Sequence, residues 1–292
     1  MDMLEQIEVV ENIGHDEFNE RFFLPQKPVV IRGLAKGTIA DQKWSIDYFK
    51  DTMGDIDVDV LDNNNKKSST SAYTSPDLKM KFSDYLGMLK KNENTNYRIF
   101  LFNLFKFNPK LKNEFPCPKI FNGILDNTSF MFFGGRETTV RIHYDIDMSS
   151  VLHTHFGGRK RVVLIPPKYG KLLYCLPMNT YSLIDLDHPD YEKYPGLKYI
   201  KGYDFILESG DTLFMPSGYW HYMTYLDGSF SVSYRKIAPS FRLLLEGIFN
   251  LGILIPLDKL LNRVLNQKWL EIKIHLAEKR ANRLLAAKRM IA

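Results

Sequence analysis

From Ser129 to Tyr234 short β-rich runs alternate with Gly, Pro and Asp turns, and this alternation constrains the fold more than any other feature of the chain. Strands that short cannot hold a core alone, so they stack as two antiparallel sheets wrapped into a roll. Such a roll makes a funnel whose inner face can carry ligands while its outer faces keep it rigid. The predicted fold is mainly β with flanking α: the roll spans about 129–238, with α/β elements before it and helices over 239–292. Phe130, Phe132, Val162, Leu164, Phe214 and Met215 are core candidates. An aromatic content of 13% is explained by core and pocket walls rather than by base stacking.

Upstream, Asp16 to Phe23 reads as a helix, Val29 to Arg32 as a strand, and Ser45 to Thr52 as a helix with Ser45 as its N-cap. Val58 to Leu61 and Tyr97 to Phe102 read as strands, and Phe82 to Lys90 as a helix with Ser83 near its start. The polar stretch from Asp62 to Ser71 is too hydrophilic to pack and reads as an exposed loop. The Tyr- and Pro-rich insertion from Lys168 to Gly202 crosses between strands near the funnel's mouth, with Tyr181, Tyr191 and Tyr203 read first as structural.

Beyond Ala238 the character changes. Phe241 to Ile255 is apolar but is interrupted by Arg242, Glu246 and Asn250 and stopped by Pro256, short of the roughly 20 apolar residues of a membrane span. Leu257, Leu260, Leu261, Val264 and Leu265 recur at helical spacing, and the end from Lys279 to Arg289 is basic. Helices of this kind either cover the roll or pair with a second subunit.

The chemistry concentrates in two places. His143 and Asp145 stand one residue apart in the run Thr138-Thr139-Val140-Arg141-Ile142-His143-Tyr144-Asp145, and residues i and i+2 of a strand share a face. An imidazole and a carboxylate so placed can hold one metal ion. Downstream, a Gly210-Asp211 turn feeds the apolar run to Pro216, and a second turn then presents Tyr219, Trp220 and His221. Two His and one carboxylate on one side of a metal leave its other positions open for a co-substrate and O2. Spacing alone leaves the metal assignment open, since an isolated H-x-D arises by chance.

From about Pro28 to Ala238 the chain resembles the JmjC and cupin-like 2-oxoglutarate oxygenases, particularly the branch with the asparaginyl hydroxylase that inhibits hypoxia-inducible factor. Four stretches carry the resemblance: Lys27 to Gly33 followed by Trp44 to Phe49, Gly134 to Asp145, Gly158 to Pro167, and Gly202 to His221. It implies a jelly roll, or double-stranded β-helix, with Fe(II) held by His143, Asp145 and His221 and 2-oxoglutarate as co-substrate. Lys160 occupies the position whose ammonium meets the far carboxylate of that dicarboxylate, and Thr139 and Ser233 are the further candidate contacts. The bland reading of Lys160 is a solvated member of the basic cluster Arg159-Lys160-Arg161.

Two departures bear on the co-substrate. The family's Thr, three residues before the first His, is replaced by Val140, while Thr138 and Thr139 lie earlier. The gap from Asp145 to Lys160 is slightly long, and Ile146-Asp147-Met148 is where a bulge or loop would take up the excess. His153 and His155, at i and i+2, read first as packed imidazoles, with an extension of the metal site or a hydrogen bond to substrate as the alternatives, and Arg141 faces either the mouth or an acidic neighbour. His15, His188 and His275 carry no assigned chemistry.

The function implied is hydroxylation of a C–H bond, most simply on a protein side chain, with a small metabolite next and methyl-lysine demethylation behind. Alternatives are a cupin-like module that binds metal or ligand without turnover, and a Zn(II) or Mn(II) hydrolase or isomerase on the same ligands. Two cysteines, Cys117 and Cys175, without metal-ligand spacing suit a reducing, cytoplasmic setting, and residues 1 to 8 lack a secretion-signal pattern. A net charge of +5 over 292 residues, without a recognition motif, does not call for nucleic acid, and no membrane association is expected. The related oxygenases often dimerise through C-terminal helices, so the resemblance implies a homodimer built on residues 239–292.

Overall fold

The structure is a computed structural model that describes residues 4–63, 76–123, 129–237 and 239–289. Most of the polar stretch expected as a loop, and Ala238 at the expected boundary, lie outside those residues. The strands in chain order are β1 (Leu4–Glu5), β2 (Val9–Glu11), β3 (Val29–Arg32), β4 (Asp57–Asp62), β5 (Leu78–Lys81), β6 (Tyr97–Phe102), β7 (Phe130–Gly134), β8 (Thr139–His143), β9 (Ser150–Phe156), β10 (Lys160–Ile165), β11 (Gly202–Leu207), β12 (Thr212–Met215), β13 (Trp220–Tyr225) and β14 (Ser229–Lys236). The helices are α1 (His15–Phe18), α2 (Ile39–Lys43), α3 (Ile46–Met53), α4 (Phe82–Lys90), α5 (Leu111–Glu114), α6 (Phe241–Phe249), α7 (Ile255–Leu265) and α8 (Gln267–Arg289).

One sheet runs β1-β11-β10-β13-β8 and the other β2-β3-β12-β9-β14-β7-β6-β4-β5. The two central quartets, β11-β10-β13-β8 and β12-β9-β14-β7, are antiparallel throughout and face each other as a jelly roll. The N-terminal strands extend the larger sheet at both edges, covering groups that would otherwise be open to a second chain.

Period-two alternation sorts the side chains into three layers. Val151, Val162, Leu164, Phe205, Leu213, Met215 and Met223 fill the interior between the sheets. Leu152, Phe156, Phe214, Phe230 and Phe133 point away from it, into an aromatic-rich core covered by the N-terminal helices. Each fully buried Phe of that layer contributes about 1.5–3 kcal/mol. Ile142, Val163, Ile165, Trp220 and Tyr222 form the outer face of the smaller sheet and pack against the 172–200 insertion and Leu270, Ala277, Ala281 and Leu285 of α8. Phe130 and Phe132 depart from the sequence expectation. On β7 the alternate residues Met131 and Phe133 enter the aromatic core, while Phe130 and Phe132 are only half-buried on the opposite face.

Local signals account for the flanking elements. Ser45 caps α3 by accepting a hydrogen bond from the Tyr48 amide at 3.0 Å. The helix expected over Asp16 to Phe23 is α1 continued by a π turn over Asn19–Phe23. A second π turn, Asn250–Leu254, joins α6 to α7, and the Asn250 side chain donates to the Ile146 carbonyl at 3.2 Å. That bond ties the C-terminal helices to the turn that follows β8. No described helix is long and apolar enough to cross a membrane. While α8 packs on the roll, Phe241, Ile248, Leu260 and Val264 of α6 and α7 remain largely exposed.

Candidate metal centre

His143 closes β8 and His221 stands directly across from it on β13, with ring centroids 4.1 Å apart. Asp145 follows two residues past His143, where β8 gives way to a turn closed by the Met148 amide donating to the Asp145 carbonyl. The candidate ligand atoms of His143, Asp145 and His221 all lie within 4.8 Å of one another, a separation that suits a single ion. Both His rings are anchored by Nδ1: His143 donates to the Arg141 carbonyl at 2.9 Å and His221 to the Tyr219 carbonyl at 3.1 Å. Because a carbonyl can only accept, the proton sits on Nδ1, which makes Nε2 the nitrogen with the lone pair that can coordinate a metal.

Electrostatics prepare the ligands. Burial, then the neighbouring His221, push the His143 imidazole down to about 3, and burial also lowers His221, so both are neutral at pH 7. Burial alone would raise the Asp145 carboxyl, but Arg235, His221 and His143 together hold it down at about 2. Arg235 on β14 is the organising cation. It donates to Asp145 Oδ1 at 3.1 Å, to both oxygens of Asp147 at 3.1 and 3.2 Å, and to Ser149 Oγ at 3.0 Å. The additional residues expected at Ile146 to Met148 thus form a turn, with Met148 at a positive φ of 54°, whose Asp147 shares that guanidinium. Arg235 was not recognisable in sequence: it shares a strand face with Ser231 and Ser233, but nothing in its local context sets it apart from a surface Arg.

A cavity behind the triad is lined by Lys160, His153, Ser233, Val140, Met215, Tyr225 and Arg235 among others. Lys160, at the start of β10, is fully buried. Its Nζ donates to Ser231 Oγ at 2.6 Å, lies 3.3 Å from His153 Nε2 and sits 4.2 Å from the centre of the Tyr225 ring. Among the described residues it has no carboxylate partner, and burial pushes its ammonium down to about 7. The solvated reading of Lys160 is therefore excluded; only Arg159 and Arg161 of that cluster reach outward, to Asp227 and to Asp187 and Asp204.

Ser233 lines the cavity, and its hydroxyl meets His153 Nδ1 at 2.7 Å. The structure does not bring Thr139 there. A bulge in β8 shifts the register between the His143–His221 and Val140–Met223 pairs, so Val140 and His143 both face the interior. Thr139 pairs with Thr224 on the outer side, and its carbonyl and hydroxyl accept from Asn63 Nδ2 at 2.9 and 3.2 Å. The same bulge explains why the position three residues before His143 reaches the cavity, and here that residue is Val140. His153 and His155 are buried imidazoles bonded to Ser233 and Ser231, and both are held neutral by burial and by Lys160. Nε2 of His155 is buried without a partner among the described residues. The Arg141 guanidinium lies 4.7 Å from the centre of the Tyr181 ring, which is buried.

Fold and site together define a jelly roll with a two-His, one-carboxylate cluster at one end of its interior. Residues 15–235 match the cupin-like domain family, and the chain belongs to that family. JmjC domain-containing protein A of Dictyostelium discoideum is 31% identical over 252 residues, covering 77% of this chain and 92% of that protein. The tRNA wybutosine-synthesizing protein 5 of Gallus gallus is 26% identical, covering 74% of this chain and 72% of that protein. Lysine-specific demethylase JMJ21 of Arabidopsis thaliana is 27% identical over 78% of this chain, which spans only 25% of that protein's length.

Proposed function

We propose that this chain is an Fe(II)- and 2-oxoglutarate-dependent oxygenase that hydroxylates a C–H bond on a protein side chain. The observation that carries the reading is the pairing of the His143, Asp145 and His221 cluster with a buried ammonium at Lys160 that has no carboxylate partner among the described residues. An uncompensated buried cation is costly, and its presence beside an open metal site suits a co-substrate that binds metal at one end and carries a carboxylate at the other. When bound, iron and 2-oxoglutarate supply the activated oxygen that attacks a C–H bond. The chain's own residues do the rest. The imidazoles stay neutral for coordination, Arg235 keeps Asp145 ionised and oriented, and the apolar walls of Val140, Val151, Met215 and Met223 exclude water.

The free space left there is about 40 Å³, so a co-substrate enters with rotation of flexible side chains such as Met215, Met223 and Lys160. Val140 offers no hydroxyl, so among the candidate side chains named here only Lys160 and Ser233 remain to hold the far carboxylate. A protein substrate is in keeping with the relatives named lysine-specific demethylases; the relative named for tRNA wybutosine synthesis shows that such names extend to other substrates. The apolar residues exposed along α6 and α7 support a homodimer through the C-terminal helices, and the cysteine usage supports a cytoplasmic setting.

The test is an anaerobic titration of the Fe(II)-loaded protein with 2-oxoglutarate, following the visible charge-transfer band of the chelate. A saturable band that is absent in Asp145→Ala and His143→Ala is the expected result. Iron binding with no band at any 2-oxoglutarate concentration would refute the co-substrate and leave a metal-binding module.

A further inference from the structure

A second cavity of about 380 Å³ opens at the rim of the roll, between α7 and the residues flanking a metal ligand. Tyr144 and Ile146, on either side of Asp145, form part of one wall, and Asn179 and Thr180 continue it. That wall is anchored, because the Tyr144 amide donates to the Thr180 carbonyl at 2.9 Å and His143 bridges to Tyr181. The rest of the lining includes Asn250 and Leu254 of the π turn with Asp258, Lys259, Asn262 and Arg263 of α7. The volume lies in the range of small-molecule sites, and the mixture of apolar wall and converging polar groups is the composition such sites show.

Charge decides what fits. Asp258 is buried and already engaged: Lys273 Nζ approaches it at 2.9 Å, the Trp269 indole donates at 2.8 Å, and Asn262 and Asn179 donate at 3.2 and 3.5 Å. With Asp258 balanced by the fully buried Lys273, the remaining charges in the cleft are Lys259 and Arg263. These stand one helical turn apart on α7, and neither has an ion-pair partner among the described residues. The lining therefore carries excess positive charge, two cations against the Glu246 carboxylate that acts on Tyr144 from beside the cleft.

We propose that this cleft binds an anionic organic group, a phosphate monoester or a carboxylate, carried by the molecule oxidised at the adjacent metal centre. That the occupant is the substrate rests on the oxygenase reading; that it is an anion rests on the cleft alone. The apolar surface of Leu254, Ile255 and Ile146 takes the body of the ligand, and Lys259 and Arg263 take its charge.

Trp269 provides a built-in reporter, since its indole N–H is bonded to Asp258 on the cleft wall, whereas the Trp44 indole donates to Glu114 elsewhere in the fold. Metal-free, ¹⁵N-labelled protein is titrated with phenyl phosphate and separately with benzoate, following both indole resonances. The expected result is a saturable Trp269 shift with at least one probe, an unmoved Trp44 signal, and apparent affinity weakened tenfold or more in Lys259→Glu/Arg263→Glu. Tighter binding of phenyl phosphate assigns a phosphate, and tighter binding of benzoate a carboxylate. No saturable Trp269 shift with either probe, or equal affinity in the variant, overturns the proposal. Co(II) titration of the same samples separates the two readings: a variant that binds Co(II) normally has kept its fold, and wild-type protein that binds the anion but no Co(II) sinks the oxygenase while leaving the anion site.

Discussion

Replacing Lys160 by methionine should stabilise the metal-free protein while removing its response to 2-oxoglutarate. The ammonium is fully buried without a carboxylate partner among the described residues, and burial lowers it from 10.5 to about 7. A depression of that size corresponds to at most about 5 kcal/mol of penalty on the charged form. Methionine removes the penalty at similar length, but it leaves Ser231 Oγ and His153 Nε2 without their contact, which costs about 1–3 kcal/mol. The net expectation is a gain of about 2 kcal/mol at pH 6.

The pH dependence makes the test specific. Between about pH 7 and 10.5 the unfolded chain holds a proton on Lys160 that the folded chain has released, so wild-type stability rises with pH across that window. Lys160→Met lacks this rise, so its advantage should shrink by about 2–3 kcal/mol from pH 6 to pH 9. Urea denaturation of both proteins at the two pH values measures the difference. A variant less stable than wild type at pH 6, or an advantage that stays constant to pH 9, would show that Lys160 is not held in the fold as an uncompensated cation.

Two further outcomes follow from named contacts. Arg235→Gln removes the guanidinium that holds Asp145 ionised, so Co(II) affinity measured by absorption should fall about 10–100-fold. The carboxyl of Asp145 should also protonate at higher pH, so that metal binding, which in wild type is limited on the acid side by His143 protonating at about 3, is lost at a higher pH; unchanged affinity and acid profile would mean that Arg235 serves only Asp147 and Ser149. Leu260→Asp/Val264→Asp places charge on the exposed face of α7 and should convert a dimer to a monomer in sedimentation velocity, while a monomeric wild type would remove the proposed role of that face.

The sequence by itself pointed to the roll, and its resemblance to a known family singled out the three candidate ligands that spacing alone left open. Alternating short strands and turns permit few other architectures, and the i, i+2 spacing of His143 and Asp145 is a local property of an extended chain. Ser45 as a cap and Val29–Arg32 as a strand were readable for the same reason, because each depends on a few neighbouring residues. What only the tertiary structure decided depends on register and long-range pairing. The bulge in β8 turns Thr139 outward and Val140 inward, and no residue in the strand announces it. Phe132 and Phe133 differ by one position on β7, yet one is half-buried and the other sits in the aromatic core. Arg235 reaches Asp145 across 90 residues, and Lys273 reaches Asp258 only because α8 folds back on α7. Such pairs balance buried charges across the folded chain, and contacts made only in three dimensions leave no periodic trace in the sequence.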